Sequence, residues 1–130
     1  MPLSAPDLKR TFRARPEAAA EARQAVDRLP LASATRETLS LVVTELVSNS
    51  IRHGDLGADS TIDLLATPGE GVVHVEVRDG GPGFAPSGTG SGAAHGYGFS
   101  IVSALSEAWG VDCEGAGCTV WCDIAAVQAA

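Results

Sequence analysis

Lysine is almost missing from this chain: among its 130 residues Lys9 is the only one, and the other eight basic residues are arginines. A Gly-rich loop ending in Gly-Lys-Ser/Thr is therefore excluded, and so is the strand lysine of ordinary protein kinases. Positive charge is scarce altogether, with a formal net charge of −7. Sequence-independent affinity for DNA or RNA rests on Lys and Arg neutralising phosphates, so no nucleic-acid partner is expected. Long apolar runs are lacking too, since none reaches the roughly 18 residues needed to span a bilayer. The start, Met1-Pro2-Leu3-Ser4-Ala5-Pro6-Asp7, has no basic segment followed by an apolar stretch and does not read as a secretory signal. These absences predict a soluble, cytoplasmic protein with no membrane partner.

Cysteine is sparse and patternless. Cys113, Cys118 and Cys122 form no Cys-x-x-Cys pair, and no histidine follows them at a metal-site interval. An odd number cannot close fully into internal disulfides. Buried thiols on neighbouring strands, acting as small core residues, are the expectation.

What remains is globular: 45% hydrophobic and 19% charged residues, over a length suited to one domain. No internal repeat or linker divides the chain, so residues 1–130 read as a single unit with its core at about 9–125.

Residues 8–14 alternate weakly and fit an edge strand. Pro16 sits where a first helical turn tolerates proline, and Glu17 to Leu29, rich in Ala, Glu, Arg and Gln, reads as a helix closed by Pro30. A second helix begins at Ser33 to Thr35 and runs to about His53, with Gly54 as its stop. Thr61 to Ala66 reads as a strand, Pro68-Gly69-Glu70-Gly71 as a turn, and Val72 to Arg78 as a half-buried strand completing a hairpin. Asp79 to Tyr97 is long and glycine-rich, the composition of a functional lid or of a disordered segment. A third helix over about Gly98 to Trp109 and two strands near Val111–Glu114 and Cys118–Ala125 finish the chain. The order predicts an α/β sandwich with helices on one face of a mostly antiparallel sheet.

Three short constellations carry chemistry. On the second helix Leu39, Val42, Val43, Leu46 and Val47 share one face, and Glu45 and Asn49, four apart, stack at its border. There a carboxamide oxygen suits Mg²⁺ and a carboxylate suits proton acceptance from an attacking hydroxyl, although an ordinary amphipathic helix carries such residues as well. Asp79-Gly80-Gly81-Pro82-Gly83-Phe84 follows a strand directly. It is either a simple turn or a carboxylate fixed to accept a hydrogen bond from an exocyclic amine, beside glycines that permit close approach. Gly96-Tyr97-Gly98-Phe99 opens the third helix, where backbone N–H groups favour phosphate.

Taken in order, Glu-x-x-x-Asn on a helix, Asp-x-Gly-x-Gly after a strand, a loop, and Gly-x-Gly at a helix start resemble the GHKL family of ATP-binding domains. That resemblance spans about residues 9 to 125 and implies the Bergerat ATP-binding fold: a two-layer α+β sandwich with about three helices on one face of a mixed, mostly antiparallel sheet. It implies ATP and Mg²⁺ as ligands, Asn49 as the magnesium ligand and Glu45 as general base. It implies further that Asp79 reads the adenine amino group, that Gly81 and Gly83 shape the floor beneath the base, and that Gly96 and Gly98 cradle the phosphates under a lid of residues 85–97. Thr119 matches a position that supports adenine, or is an ordinary strand threonine.

Within the family the chain is most similar to the bacterial anti-sigma-factor serine/threonine kinases. No helix pair with a phospho-accepting histidine precedes the motifs, as in a complete histidine kinase, and no transducer domain follows them. Gly98-Phe99-Ser100-Ile101-Val102 and Ala108-Trp109-Gly110-Val111 are similar to that group. The resemblance implies transfer of the ATP γ-phosphoryl to a Ser or Thr of an antagonist (anti-anti-sigma) protein, sequestration of a sigma factor, and a homodimer. One departure stands out: residues 79–109 contain no Lys or Arg, where that group often places a basic residue near the γ-phosphate. The alternative is a non-catalytic, nucleotide-gated module whose lid controls docking of a partner.

Overall fold

The computed structural model describes residues 7–53, 60–79, 99–114 and 117–126. In chain order the elements are β1 (Leu8–Arg13), α1 (Ala18–Asp27), α2 (Ser33–His53), β2 (Thr61–Pro68), β3 (Val72–Asp79), α3 (Ser100–Leu105), β4 (Ala108–Glu114) and β5 (Gly117–Ala125). The strands form one sheet in the order β1-β2-β3-β5-β4, and every pairing among the described residues is antiparallel. Among the described residues, three helices and an open five-stranded sheet make the expected α/β sandwich.

Period-two patterning decides which sheet face the helices cover. Leu8 and Phe12, then Ile62, Leu64 and Ala66, Val73, Val75 and Val77, and Cys118, Val120, Cys122 and Ile124 are all buried. The residues between them are polar or only partly covered and line the outer face. The β2–β3 hairpin turns at Gly69-Glu70-Gly71, where the Gly69 N–H donates to the Val72 carbonyl at 2.8 Å and Gly71 takes φ +75°. That left-handed geometry is open to glycine without a steric cost.

Helix α1 buries Ala18, Ala22, Ala25 and Val26, and these small side chains let it pack closely on α2 and β1. It ends where the N–H groups of Arg28 and Leu29 turn back to the carbonyls of Ala25 and Val26, just before Pro30. Helix α2 buries Leu39, Val42, Val43, Leu46 and Val47, the predicted face, against β3, β5 and α3. Truncating Leu46 to Ala in so tight a core costs about 2–5 kcal/mol.

Two expectations are corrected. The third helix covers only Ser100–Leu105, and Ala108 and Trp109 belong to β4 rather than to that helix. The Glu107 N–H donates to the Asp123 carbonyl at 2.8 Å, which draws the chain into the sheet ladder. Trp109 then meets the edge of Phe99 with ring centroids 5.4 Å apart. Apolar residues spaced as on one helix thus converge from a helix start and a strand. Secondly, Cys113 and Cys118 are not free thiols but form a disulfide, because the β4–β5 register sets them directly opposite, with Cα atoms 4.0 Å apart. Cys122 alone among the three is free, and it is buried as expected. No helix among the described residues is long and apolar enough to cross a membrane.

Candidate functional site

The carboxyl half of α2 carries the first part of the site. Glu45 is partly buried, and Asn49, one turn later, is fully buried. The Asn49 Oδ1 accepts a hydrogen bond from the Arg52 guanidinium at 2.5 Å, which fixes the orientation of the amide. Its Nδ2 has no hydrogen-bond partner. A buried donor left unpaired costs about 1–3 kcal/mol, so it calls for an explanation outside the fold itself. Ser50, 1% exposed, also buries an unpaired hydroxyl beside it in sequence. Thr44, by contrast, satisfies its hydroxyl by donating to the Ser40 carbonyl at 2.7 Å.

The second part lies at the end of β3. The alternation that buries Val73, Val75 and Val77 brings Asp79 to the same inner face, where it is 1% exposed. A carboxylate at the next apolar slot breaks the local rule, and such breaks mark functional positions. Sheet register sets Asp79 opposite Ile62 on β2 and Cys118 on β5, and Cys118 opposite Cys113 on β4. These four residues form one inner-face row at one end of the sheet.

Thr119 is not brought to Asp79. It pairs in register with Arg78 and Asp112, both exposed, and so belongs to the outer face. Beside Asp79 on the inner face stands Cys118. Gly81, Gly83, Gly96 and Gly98, with the expected lid at 85–97, lie outside the described residues. Phe99, just after them, is buried and anchors the start of α3.

Among the described residues no group of three or more His, Cys, Asp or Glu side chains could hold a metal ion. A magnesium ion here would depend on Asn49 together with phosphate and water oxygens, the donor set Mg²⁺ usually takes. The residues fit that demand. Asn49 presents a neutral oxygen whose present partner, Arg52, is an exposed side chain able to swing away, and its orphaned Nδ2 suits a phosphate oxygen.

A second polar cluster, absent from the sequence-based site, occupies the outer face. His74 is bound through Nδ1 to Asp123 at 2.6 Å and through Nε2 to Glu76 at 2.9 Å. Its ring also stacks on Trp121 with centroids 5.9 Å apart. Partial burial pulls the imidazole pKa down, but hydrogen bonds to Asp123 and Glu76, with their charges, outweigh it and raise the pKa above the ordinary histidine value. The alternation of β3 marks His74 and Glu76 as same-face neighbours; only the cross-strand register could add Asp123. A groove of about 490 Å³ on this face, with Lys9, Asp63 and Arg78 among its walls, holds none of the predicted site residues.

Residues 12–123 match the family described as the histidine kinase-like ATPase domain. The chain belongs to that family. Its fold is shared with the RsbU and RsbW domains of Rv1364c from Mycobacterium tuberculosis, at TM-score 0.69 and 19% identity over 96% of this chain. It is shared also with the histidine kinase AdeS of Acinetobacter baumannii, at TM-score 0.53 and 17% identity over 93% of this chain. The chain spans 34% of the former protein's length and 68% of the latter's. No curated protein matches it.

Proposed function

We propose that this domain binds Mg-ATP between α2 and the sheet and transfers the γ-phosphoryl to a serine or threonine of an antagonist protein, and that it holds a sigma factor inactive in the other arm of the same switch. The observation that carries the nucleotide reading is Asn49, fully buried on α2 with an unpaired Nδ2, one turn from Glu45. The kinase and sigma-factor reading draws support from the fold shared with part of a protein that holds RsbU and RsbW domains. The domain acts in the cytoplasm as one unit over residues 1–130, as a homodimer.

Asn49 is the residue that would hold the ion, through the Oδ1 that Arg52 now occupies, and Glu45 would accept the proton of the attacking hydroxyl. The ion supplies neutralisation of phosphate charge. Asp79 accepts a hydrogen bond from the adenine amino group, Gly81 and Gly83 leave room under the base, and Gly96 and Gly98 offer backbone N–H groups to the phosphates. Arg52, freed from Asn49, contributes the positive charge that residues 79–109 lack. Catalysis of this kind rests on positioning and charge stabilisation.

The test mixes protein, Mg-ATP and a candidate antagonist protein and follows the antagonist's mass. A gain of one phosphoryl group, abolished by Glu45→Ala, is the expected outcome; transfer at an unchanged rate in that variant sinks the role of Glu45. The absence of any Lys or Arg across residues 79–109 favours a second reading, a nucleotide-gated docking module. ATP-dependent binding of the antagonist without mass gain establishes that reading instead.

A further inference from the structure

The Cys113–Cys118 disulfide stands in the inner-face row that contains Asp79. It joins adjacent strands that are already paired in register over Ala108–Glu114, and it closes only a short loop. Its position is more telling. Cys118, 2% exposed, is the direct cross-strand neighbour of Asp79 on the inner face, and Cys113 is the next residue in that row on edge strand β4. The bond therefore ties an edge strand to the strand that flanks the buried carboxylate.

We propose that this disulfide is a redox switch for the nucleotide site, holding the wall beside Asp79 in place when oxidised and loosening it when reduced. The inference rests on the reading of Asp79 as a nucleotide-binding residue. In a reducing compartment, disulfides that do form are mostly transient or redox-sensing rather than structural.

The chemistry needs an external dithiol. Cys122, the one free thiol, sits four residues along β5 from Cys118, about 13 Å away in an extended strand. Burial, with the charge of Asp123 adding to it, pushes its pKa up to about 11 despite the nearby Ser106 hydroxyl, so it stays a protonated thiol and is no nucleophile. Cys113 is the partly buried residue of the pair, whereas Cys118 is buried. A thiolate of the reductant attacks the Cys113 sulfur, the S–S bond breaks, and Cys118 leaves as a thiolate that takes up a proton. The reductant's second thiol then displaces Cys113, so two electrons and two protons pass to the protein and the reductant ends as its own disulfide.

With the bond open, the β4–β5 pair keeps its ladder hydrogen bonds and its short connection from Glu114 to Gly117, and loses the cross-strand bond in the row beside Asp79. The first residues of β5 lose that brace, and the site beside Asp79 must be ordered by the ligand at the expense of affinity.

The test is titration of the whole chain with a non-hydrolysable ATP analogue and Mg²⁺, in an oxidised sample and in one held in dithiothreitol. The disulfide state is read by mass after alkylation, and folding by circular dichroism. Reduced protein that stays folded and binds at least about fivefold more weakly is the expected result, the lower end of ordinary coupling between sites. Cys113→Ser should bind like reduced wild type and ignore dithiothreitol. Equal affinity in both states, or a Cys113–Cys118 bond that never forms under mild oxidant, overturns the switch and leaves the nucleotide site standing. Binding in neither state overturns the nucleotide site, and the switch with it.

Discussion

Replacing Asn49 by leucine should stabilise the nucleotide-free protein while abolishing its response to nucleotide. Asn49 is fully buried, and its Nδ2 finds no partner. Removing that unpaired donor relieves about 1–3 kcal/mol. Losing the hydrogen bond from Arg52 costs about 1 kcal/mol, because an exposed guanidinium recovers most of its partner from water. Leucine has nearly the shape of asparagine, so the buried position needs little rearrangement. The balance is a gain of about 1 kcal/mol, or roughly 4 °C in melting temperature for a domain of this size. Thermal unfolding with and without Mg-ATP reads both halves of the claim. A variant that melts more than about 4 °C lower would mean that Asn49 is a satisfied structural residue, and the case for a functional one would fail.

Two further perturbations probe other parts of the fold. A Cβ at Gly110 would lie 2.8 Å from Trp121 Nε1 and 3.0 Å from its Cε2 and Cζ2. Gly110→Ala should therefore destabilise by about 1–3 kcal/mol in urea unfolding, and an unchanged midpoint would mean that the indole does not lie over that glycine. The raised pKa of His74 gives a stabilising contribution that is complete below the unfolded-state pKa of about 6.5 and is lost as pH rises through the higher folded-state value. Its ion pairs are about a third exposed, so between pH 6 and 8.5 the loss should stay below about 1 kcal/mol. His74→Gln should remove that slope, and a variant as pH-sensitive as wild type would put its origin elsewhere.

The sequence was most informative where one periodicity ran long. The face of α2 and the alternation of β3 were legible residue by residue, and both buried polar residues of the site, Asn49 and Asp79, lie on those two elements. It was least informative where contacts join strands distant in sequence. Thr119 and Cys118 differ by one position, yet that step selects the opposite sheet face. The disulfide and the His74–Asp123 contact likewise depend on cross-strand register, which no local pattern reveals. Helix α3 was over-extended because Phe99, Val102 and Trp109 have helical spacing, although Trp109 reaches Phe99 from a strand. The Arg52–Asn49 contact is an i, i+3 pair on a helix, a spacing that leaves open which neighbour each side chain binds.

The central claim is that Asp79 and Asn49 bind a magnesium–nucleotide complex, and calorimetric titration with a non-hydrolysable ATP analogue tests it most directly. Wild type should bind in a Mg²⁺-dependent manner, Asn49→Leu should lose that dependence with the binding, and Asp79→Asn should abolish binding while remaining folded. A folded wild-type protein that takes up no nucleotide, with or without Mg²⁺, would contradict the account and leave a histidine kinase-like ATPase domain that works by protein contact alone.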